Sequence, residues 1–228
     1  PWDVVVARGK KGGKEFALKF PLREDLTNID VRFKGMKKQG VDLQILSVVP
    51  GMTYYSLPVG LNKEISSAIN ESLLGLTKEY PDKFRCMAQL PMQDPQAAAK
   101  ELAQAVKTGH LGAQIGTNVA GRNLDDRKLD VVWRKAVKLD VPLFIHPAGD
   151  RATGERLKDY YLDNFIGNPL ETTICASSLI FGGVFDRFAK IKFLLSHTGG
   201  FTPWIRGRWQ HGYGERTEPK GNRAKSPN

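Results

Sequence analysis

A chain of 228 residues with 41% hydrophobic content can bury one sizeable core or two small ones, and it contains no apolar run long enough to span a membrane. Its formal net charge of +10 is concentrated near the two ends, whereas the middle of the chain is almost neutral. No zinc-finger, RNA-recognition or helix-turn-helix motif accompanies this charge, so we expect neither a nucleic-acid partner nor a membrane partner.

The first part of the chain predicts a hairpin, a helix and a strand. Residues 4–20 alternate loosely around a turn rich in glycine and lysine, and we interpret residues 1–25 as a hairpin or loop insertion. A weakly helical pattern covers residues 28–39 and ends at Gly40, which is a suitable C-cap. An apolar strand over residues 41–49 follows and is closed by proline and glycine.

Helices and strands alternate from residue 61 onward. Helical stripes end at proline or glycine, and short apolar runs follow them. The predicted helices cover residues 61–80, 94–106, 125–137, 169–188 and 201–210. The predicted strands cover residues 84–90, 111–115, 141–145 and 191–196. This alternation predicts an α/β fold in which right-handed crossovers build a parallel sheet covered by helices.

A parallel sheet of this kind occurs in doubly wound folds and in (β/α)8 TIM barrels. No Gly-x-Gly-x-x-Gly fingerprint follows a predicted strand, which argues against a dinucleotide-binding fold. Histidine, asparagine and glycine follow the strands instead, and barrels build their sites from such strand ends. The sequence therefore favours the barrel.

Two of the predicted strands stop on a histidine. His146 is followed by Pro147, which cannot extend a ladder, and His197 lies just before two glycines. Parallel strands would place both histidines at the same rim, whereas His110 precedes a strand and is expected at the opposite end. A strand-end histidine is often only a hydrogen-bonded cap. Because neutral imidazole is also a metal ligand and a general base, the pair can be two ligands or a ligand and a base.

The predicted helix over residues 201–210 carries two arginines. Arg206 and Arg208 are two residues apart and therefore do not share a helix face. One of them can hold a carboxylate in a bidentate contact while the other lies on the surface.

Seven short motifs carry a resemblance to a known family. They are Leu-Pro-Met-Gln-Asp-Pro at 90–95, Gly-Ala-Gln-Ile-Gly-Thr-Asn at 112–118, Leu-Phe-Ile-His-Pro at 143–147, Pro-Leu-Glu-Thr-Thr at 169–173, Gly-Gly-Val-Phe at 182–185, Ser-His-Thr-Gly-Gly at 196–200 and Gly-Arg-Trp-Gln-His-Gly at 207–212. Together they resemble the aminocarboxymuconate-semialdehyde decarboxylase group of the amidohydrolase superfamily. The similarity runs in register over most of the chain.

The resemblance implies a distorted (β/α)8 TIM barrel of the metal-dependent hydrolase type with one divalent metal ion, zinc in the first place and manganese as the alternative. His146 matches the family's metal-ligand histidine after the fifth strand. His197 matches the catalytic histidine after the sixth strand, which activates the metal-bound water and shuttles its proton. Arg208 matches an arginine that binds the substrate carboxylate, often in the neighbouring subunit's site, which implies a homodimer.

Four further positions concern a small acidic substrate. An arginine of the family's N-terminal substrate loop has its nearest counterparts in Lys19 and Arg23. A family aromatic residue in the loop after the fifth strand corresponds to Asn164, with Tyr161 nearby. The resemblance makes these four residues candidates for substrate binding.

Two parts of the family's metal shell do not occur in the sequence: a His-x-His pair on the first strand and an aspartate after the last strand. We therefore expect residues 1–228 to be a single amidohydrolase-related barrel domain that lacks its first and last strands, with a truncated basic tail over residues 214–228. Pro1 is not an initiator methionine and no signal-peptide pattern follows it, so we expect the chain to begin inside a longer polypeptide. Cys86 and Cys175 are too few for a disulfide framework, which favours the cytoplasm.

The function that the resemblance implies is non-oxidative decarboxylation of an unsaturated or aromatic carboxylic acid, with a metal-activated water and His197 as the proton shuttle. Hydrolysis or hydration by the same activated water is the nearest alternative. A second alternative, from another class, is a non-catalytic fragment or binding module, because the sequence holds only one of the family's metal ligands.

Overall fold

The computed structural model describes residues 2–11, 14–22, 24–148 and 154–221. The chain forms two compact units, residues 1–44 and residues 45–228. The expectation of one barrel domain over the whole chain stays a prediction.

The first unit begins with an antiparallel hairpin, as the sequence predicts. Its strands are β1 (Trp2–Lys11) and β2 (Lys14–Leu22), and their register shifts between Val5 and Ala7. A register shift of this kind is typical of a β-bulge.

The first helix, α1 (Ile29–Gln39), is defined by a cap at each end. The Asn28 side chain accepts hydrogen bonds from the backbone N–H groups of Asp30 and Val31. Gly40 ends the helix with φ of +66°, a left-handed conformation that costs glycine little. The predicted helix over residues 28–39 is confirmed.

Strands and helices alternate from residue 44 onward. The strands are β3 (Gln44–Leu46), β4 (Phe84–Cys86), β5 (Ala88–Gln89), β6 (Ala113–Ile115), β7 (Asn118–Val119), β8 (Arg122–Asn123), β9 (Pro142–Ile145) and β10 (Lys192–Leu195). The helices are α2 (Val59–Glu79), α3 (Pro95–Thr108), α4 (Asp130–Leu139), α5 (Asn168–Phe181), α6 (Val184–Arg187) and α7 (Thr202–Glu215), and a π-helical stretch covers Asp163–Gly167. Within the described ranges, no helix combines the length and the apolar character needed to cross a bilayer.

Neighbouring strands of the main sheet follow the order of the chain. The sheet is parallel with the order β10-β9-β6-β5. Met87, between β4 and β5, donates its N–H to the carbonyl of Leu46, so β3 lies beside this end of the sheet. A doubly wound sheet reverses its strand order at a switch point, whereas a barrel wall does not. The predicted α/β fold with a parallel sheet is confirmed, and the incomplete (β/α)8 barrel stays a prediction.

One face of the main sheet packs against helices. Ala113, Ile115, Leu143 and Ile145 are fully buried on this face. Burial of each leucine or isoleucine side chain contributes roughly 1.5–3 kcal/mol to stability. Trp133 of α4 is also fully buried and belongs to the same hydrophobic core, so this core joins α4 to the sheet.

The opposite face carries a row of side chains below the rim of the sheet. Gln89, Gln114, Phe144 and Leu194 occupy paired positions on β5, β6, β9 and β10. Because side chains alternate along a strand, His146 lies on the same face as Phe144, one layer closer to the carboxyl ends.

The helix predicted over residues 169–188 is interrupted. Gly182 and Gly183 separate α5 from α6. A Cβ atom on Gly182 would lie 2.2 Å from the Cβ of Asp125, and Gly183 has φ of +69°. The chain therefore needs glycine here to pass close to its neighbour, a contact that the helical pattern of the sequence does not reveal.

A partly buried ion pair joins α6 to α4. The guanidinium of Arg187 donates to both carboxylate oxygens of Asp130, at 3.1 and 2.9 Å, and to the carbonyl of Gly182. The two side chains of the ion pair are 16% and 19% exposed. Bidentate pairs of this kind are stronger than ordinary surface pairs.

We expect Asp130→Asn to lower the free energy of unfolding by about 1–3 kcal/mol, because the Arg187 charge would lose its counter-charge in a poorly solvated position. Urea denaturation measures this loss. Asp140→Asn is the matched control: its ion pair with Lys192 is largely exposed, and asparagine tolerates the left-handed φ of +56° at that position. Equal losses in the two variants would show that the ion pair does not stabilise the helix contact.

Candidate active site

Parallel pairing brings the two strand-end histidines together. Ile145 of β9 lies beside Leu195 of β10, and the N–H of Ser196 donates to the Ile145 carbonyl at 3.1 Å. The ring centroids of His146 and His197 are 4.8 Å apart, with an angle of 65° between the rings. Two imidazoles therefore meet at the carboxyl ends of adjacent strands.

The His146 ring is oriented by its own chain. Its Nδ1 lies 2.9 Å from the carbonyl oxygen of Pro147, which can only accept, so Nδ1 carries the proton and Nε2 keeps its lone pair. Burial lowers the pKa of His146 from its ordinary value, and the hydrogen bond to Pro147 offsets part of this shift. His146 is thus a neutral imidazole that offers Nε2 as a ligand.

The backbone holds His197 in a conformation that few residues adopt. Its φ is +52° and the φ of Thr198 is +55°, in the left-handed region. Such positions in non-glycine residues cluster at functional sites, where the surrounding structure stabilises them. Burial of part of the ring lowers the pKa of His197, and the nearby His146 lowers it further. The neutral form, which can accept a proton, is favoured at neutral pH.

Two hydroxyl groups contact the Nδ1 atom of His197. The Oγ of Ser196 lies at 3.0 Å and the Oγ1 of Thr172 lies at 3.3 Å. Both contacts are to Nδ1, and among the described residues Nε2 of His197 makes no hydrogen bond.

The start of α5 connects two strand ends. The buried carboxylate of Glu171 accepts hydrogen bonds from Thr117 and Asn118, which follow β6, at 3.2 and 3.3 Å. On the other side of Thr172, the Oγ1 of Thr173 accepts the N–H of Phe201 at 2.7 Å. We did not predict these contacts. The available signal was the polar run at residues 171–173 inside a buried helix, because buried polar side chains need partners.

Arg208 lies on α7 and is exposed, as is Arg206. Asn164 is partly buried in the π-helical stretch, and Tyr161 is exposed, with its ring 5.2 Å from that of Phe165. Within the described part of the chain, no hydrogen bond or ring contact joins these residues to the histidine pair. Their substrate-binding roles therefore stay predictions.

Two candidates belong to the N-terminal part of the chain. Lys19 lies in β2, of which the backbone is described, and Arg23 lies outside the described residues. Their roles also stay predictions.

His110 is separate from the histidine pair. It precedes β6, at the amino ends of the parallel strands and opposite the histidine pair, and its residue surface is only 4% exposed. Its Nδ1 lies 3.0 Å from the carbonyl of Ala105 at the end of α3. His110 is therefore a buried residue of the helix–strand junction, as its place in the sequence predicts.

A sequence profile described as amidohydrolase matches residues 22–217. The chain belongs to the amidohydrolase family. It is 35% identical over 190 residues to a 2-amino-3-carboxymuconate-6-semialdehyde decarboxylase of Dictyostelium discoideum, and this match covers 83% of the chain and 53% of the relative. This amidohydrolase thus spans about half the length of that curated relative, and the resemblance predicted from the motifs is confirmed.

Solved structures share the fold of this amidohydrolase. A 2,6-dihydroxybenzoate decarboxylase from Rhizobium is similar with a TM-score of 0.78 and 28% identity, over 87% of this chain and 64% of that chain. A 5-carboxyvanillate decarboxylase from Novosphingobium aromaticivorans, in complex with manganese and 4-hydroxy-3-methoxy-5-nitrobenzoic acid, gives a TM-score of 0.77 and 28% identity, over 86% of this chain and 58% of that chain.

The described part of this amidohydrolase supplies some of what a metal ion needs. His146 offers a neutral imidazole nitrogen, the usual histidine ligand. Across residues 24–148 and 154–221, no three side chains of the types His, Cys, Asp and Glu come close enough together to hold a metal ion. A catalytic zinc site needs about three protein ligands. These residues thus fit one ligand position but do not form a complete shell.

The loop that carries His197 is pressed against α5 at Gly200. A Cβ atom there would lie 2.3 Å from the carbonyl oxygen of Pro169 and 2.6 Å from Oγ1 of Thr173, and its φ is +64°. Only glycine fits this approach without a shift of the loop.

We expect Gly200→Ala to displace the loop and to lower the melting temperature by several degrees, because the added methyl group meets backbone atoms. Differential scanning calorimetry measures the shift. The matched control is Gly207→Ala in α7, where a Cβ meets no atom within 4 Å and alanine favours the helix, so its melting temperature should not fall. A Gly200→Ala protein as stable as the Gly207→Ala protein would contradict the close contact.

Proposed function

We propose that the protein to which this chain belongs catalyses the non-oxidative decarboxylation of an unsaturated or aromatic carboxylic acid. The observation that carries the proposal is the pair of imidazoles, His146 and His197, with ring centroids 4.8 Å apart at adjacent parallel strand ends. The names of two similar proteins, decarboxylases of dihydroxybenzoate and of carboxyvanillate, support this reaction.

The proposal includes one divalent metal ion, zinc or manganese, with His146 as one of its ligands. The manganese in the similar carboxyvanillate decarboxylase supports a divalent ion. A bound ion of this kind stabilises negative charge on an oxygen atom. His146 contributes a neutral Nε2, which the Nδ1 contact to Pro147 keeps free of a proton.

His197 is the proposed proton shuttle. Decarboxylation breaks the bond between the substrate carbon and its carboxylate, releases CO2, and leaves an electron pair that must take up a proton. The Nε2 of His197 takes a proton from water and delivers it to that carbon, and the hydroxide that remains combines with the released CO2 as bicarbonate. The lowered pKa of His197 keeps the ring neutral, and therefore able to accept the proton, at neutral pH.

Cations hold the substrate in this proposal. Arg208 binds the carboxylate group from a neighbouring subunit of a homodimer, and Lys19 or Arg23 supplies a second positive charge. Asn164 and Tyr161 lie beside the ring or chain of the substrate. The exposure of Arg208 on α7 supports a role at a subunit contact, because its side chain is open to a second chain.

The proposal also covers the fold, the cellular location and the partners of the chain. The chain contains part of a (β/α)8 barrel, which the chain-ordered parallel strands support. A cytoplasmic location is supported by two free, buried cysteines, Cys86 and Cys175. A partner other than the substrate and a second copy of the chain is not proposed.

The reaction can be tested by measuring CO2 release from a panel of aromatic and muconate-type acids, with the manganese- or zinc-loaded protein and its His197→Asn variant. We expect His197→Asn to lower kcat by about a hundredfold or more, because the proton shuttle is lost. Asparagine is chosen because it tolerates the left-handed φ of His197. Metal content and unfolding should not change.

Thr198→Asn is the matched control, since it places asparagine at the adjacent left-handed position and leaves the imidazole intact. It should keep most of the activity. CO2 release by the His197→Asn variant at the wild-type rate would exclude the shuttle. Products of hydration or hydrolysis, without CO2, would favour the alternative reaction.

The proposed contact across the dimer has its own test. Arg208→Ala should raise KM by about tenfold or more, whereas Arg206→Ala, on another face of α7, should change it little. Activity is then measured well below KM, where Arg208→Ala dimers contribute little. Mixing unfolded His197→Asn and Arg208→Ala chains and refolding them together should restore about a quarter of the wild-type activity. Half of the mixed dimers would be hybrids in which one of two sites is intact. No recovery in dimers shown to be hybrid would place Arg208 in its own subunit's site.

A further inference from the structure

The buried hydroxyl group of Thr172 contacts the imidazole of His197. Thr172 is fully buried in α5, and its Oγ1 lies 3.0 Å from the carbonyl oxygen of Asn168 and 3.3 Å from Nδ1 of His197. The carbonyl can only accept and is the nearer of the two partners, so we assign the single hydroxyl proton of Thr172 to the contact with Asn168. Thr172 then has only lone pairs left for His197.

The direction of this hydrogen bond selects one form of the imidazole. If Nδ1 carries the proton, it donates to Thr172, and every group in the chain from His197 to Asn168 is satisfied. If Nδ1 is unprotonated, its lone pair faces the lone pairs of Thr172. Two lone pairs that face each other in a buried position repel, so the first form is favoured.

Ser196 is the competing contact. Its Oγ lies 3.0 Å from the same Nδ1 atom. Within the described residues, the serine hydroxyl makes no second hydrogen bond, so it can accept from a protonated Nδ1 or donate to an unprotonated one. Ser196 is therefore compatible with both tautomers, whereas Thr172 is compatible with only one while it is bonded to Asn168.

We infer that Thr172 is a positioning residue that keeps the proton of neutral His197 on Nδ1 and leaves Nε2 free to exchange a proton with the substrate. Its catalytic consequence rests on the proposed decarboxylation. The tautomer itself does not, because it follows from the contacts within the chain.

The neighbours of Thr172 keep it in place. The Glu171 carboxylate accepts hydrogen bonds from Thr117 and Asn118, and the Thr173 hydroxyl accepts a hydrogen bond from the N–H of Phe201. The helix therefore cannot rotate to withdraw the Thr172 hydroxyl without breaking buried hydrogen bonds on either side.

Nitrogen-15 NMR of the full chain tests the inference without a substrate. Two-bond proton–nitrogen correlations at about pH 8, where an ordinary histidine is neutral, show which ring nitrogen carries the proton. The sequence has four histidines, so the His197 signal is assigned by its absence in His197→Asn. We expect the proton on Nδ1 in the wild type.

Three variants distinguish the effects of the Thr172 and Ser196 hydroxyl groups on the His197 tautomer. Thr172→Val keeps the shape but removes the hydroxyl, and we expect the tautomer with the proton on Nε2 to become substantially populated, since Ser196 can then donate to Nδ1. Thr172→Ser and Ser196→Ala should keep the wild-type tautomer. A wild-type proton on Nε2, an unchanged tautomer in Thr172→Val, or a changed one in Ser196→Ala would overturn the inference.

Kinetics gives a second measurement. With a substrate found for the wild type, Thr172→Val should lower kcat by about tenfold with little change in KM, and Thr172→Ser should restore it. The His197 proton could lie on Nδ1 in a protein that releases no CO2 from any acid of the panel. That result would support the inference about Thr172 and reject the proposed function.

Discussion

The arrangement of this site depends on the hydrogen bonds made by three consecutive residues at the start of α5. Glu171 holds the segment after β6, Thr172 contacts His197, and Thr173 holds the segment after β10. All three side chains are buried, so each contact is expensive to lose and solvent does not replace it. One helix turn therefore sets the distance between two strand ends. This turn supports the loop that carries His197, and the pairing of β9 with β10 brings the His197 ring to His146.

The surroundings of the two histidines serve the same electrostatic purpose. Burial lowers the pKa of both rings and so disfavours their charged forms, and the nearby His146 lowers the pKa of His197 further. The backbone carbonyl of Pro147 and the hydroxyl of Thr172 engage the Nδ1 atoms. Both rings therefore present a neutral Nε2, one suited to a metal ion and one suited to proton transfer. A similar pair on exposed loops would be partly protonated and free to rotate.

The fold was predictable where local pattern and tertiary structure agree. The stripe that predicts α1 and the glycine that ends it appear in the structure, as do the alternating strands and helices of the parallel sheet. The strands are shorter than their apolar runs, because only a few residues of each run pair with a neighbour while the others pack without a ladder. The break between α5 and α6 was missed because it arises from the close approach of Asp125 to Gly182, residues far apart in the chain.

The sequence by itself determined the α/β class, the amidohydrolase family, and the two histidines that follow strands, because periodicity and short motifs are local properties of the chain. Only the tertiary structure decided that the two rings meet, that β9 and β10 are neighbours, and that Thr172 lies behind His197. These features join residues 25 or more positions apart and depend on strand pairing and on helix packing. A pattern read along the chain shows which residues are polar or apolar. It does not show which buried donor finds which acceptor.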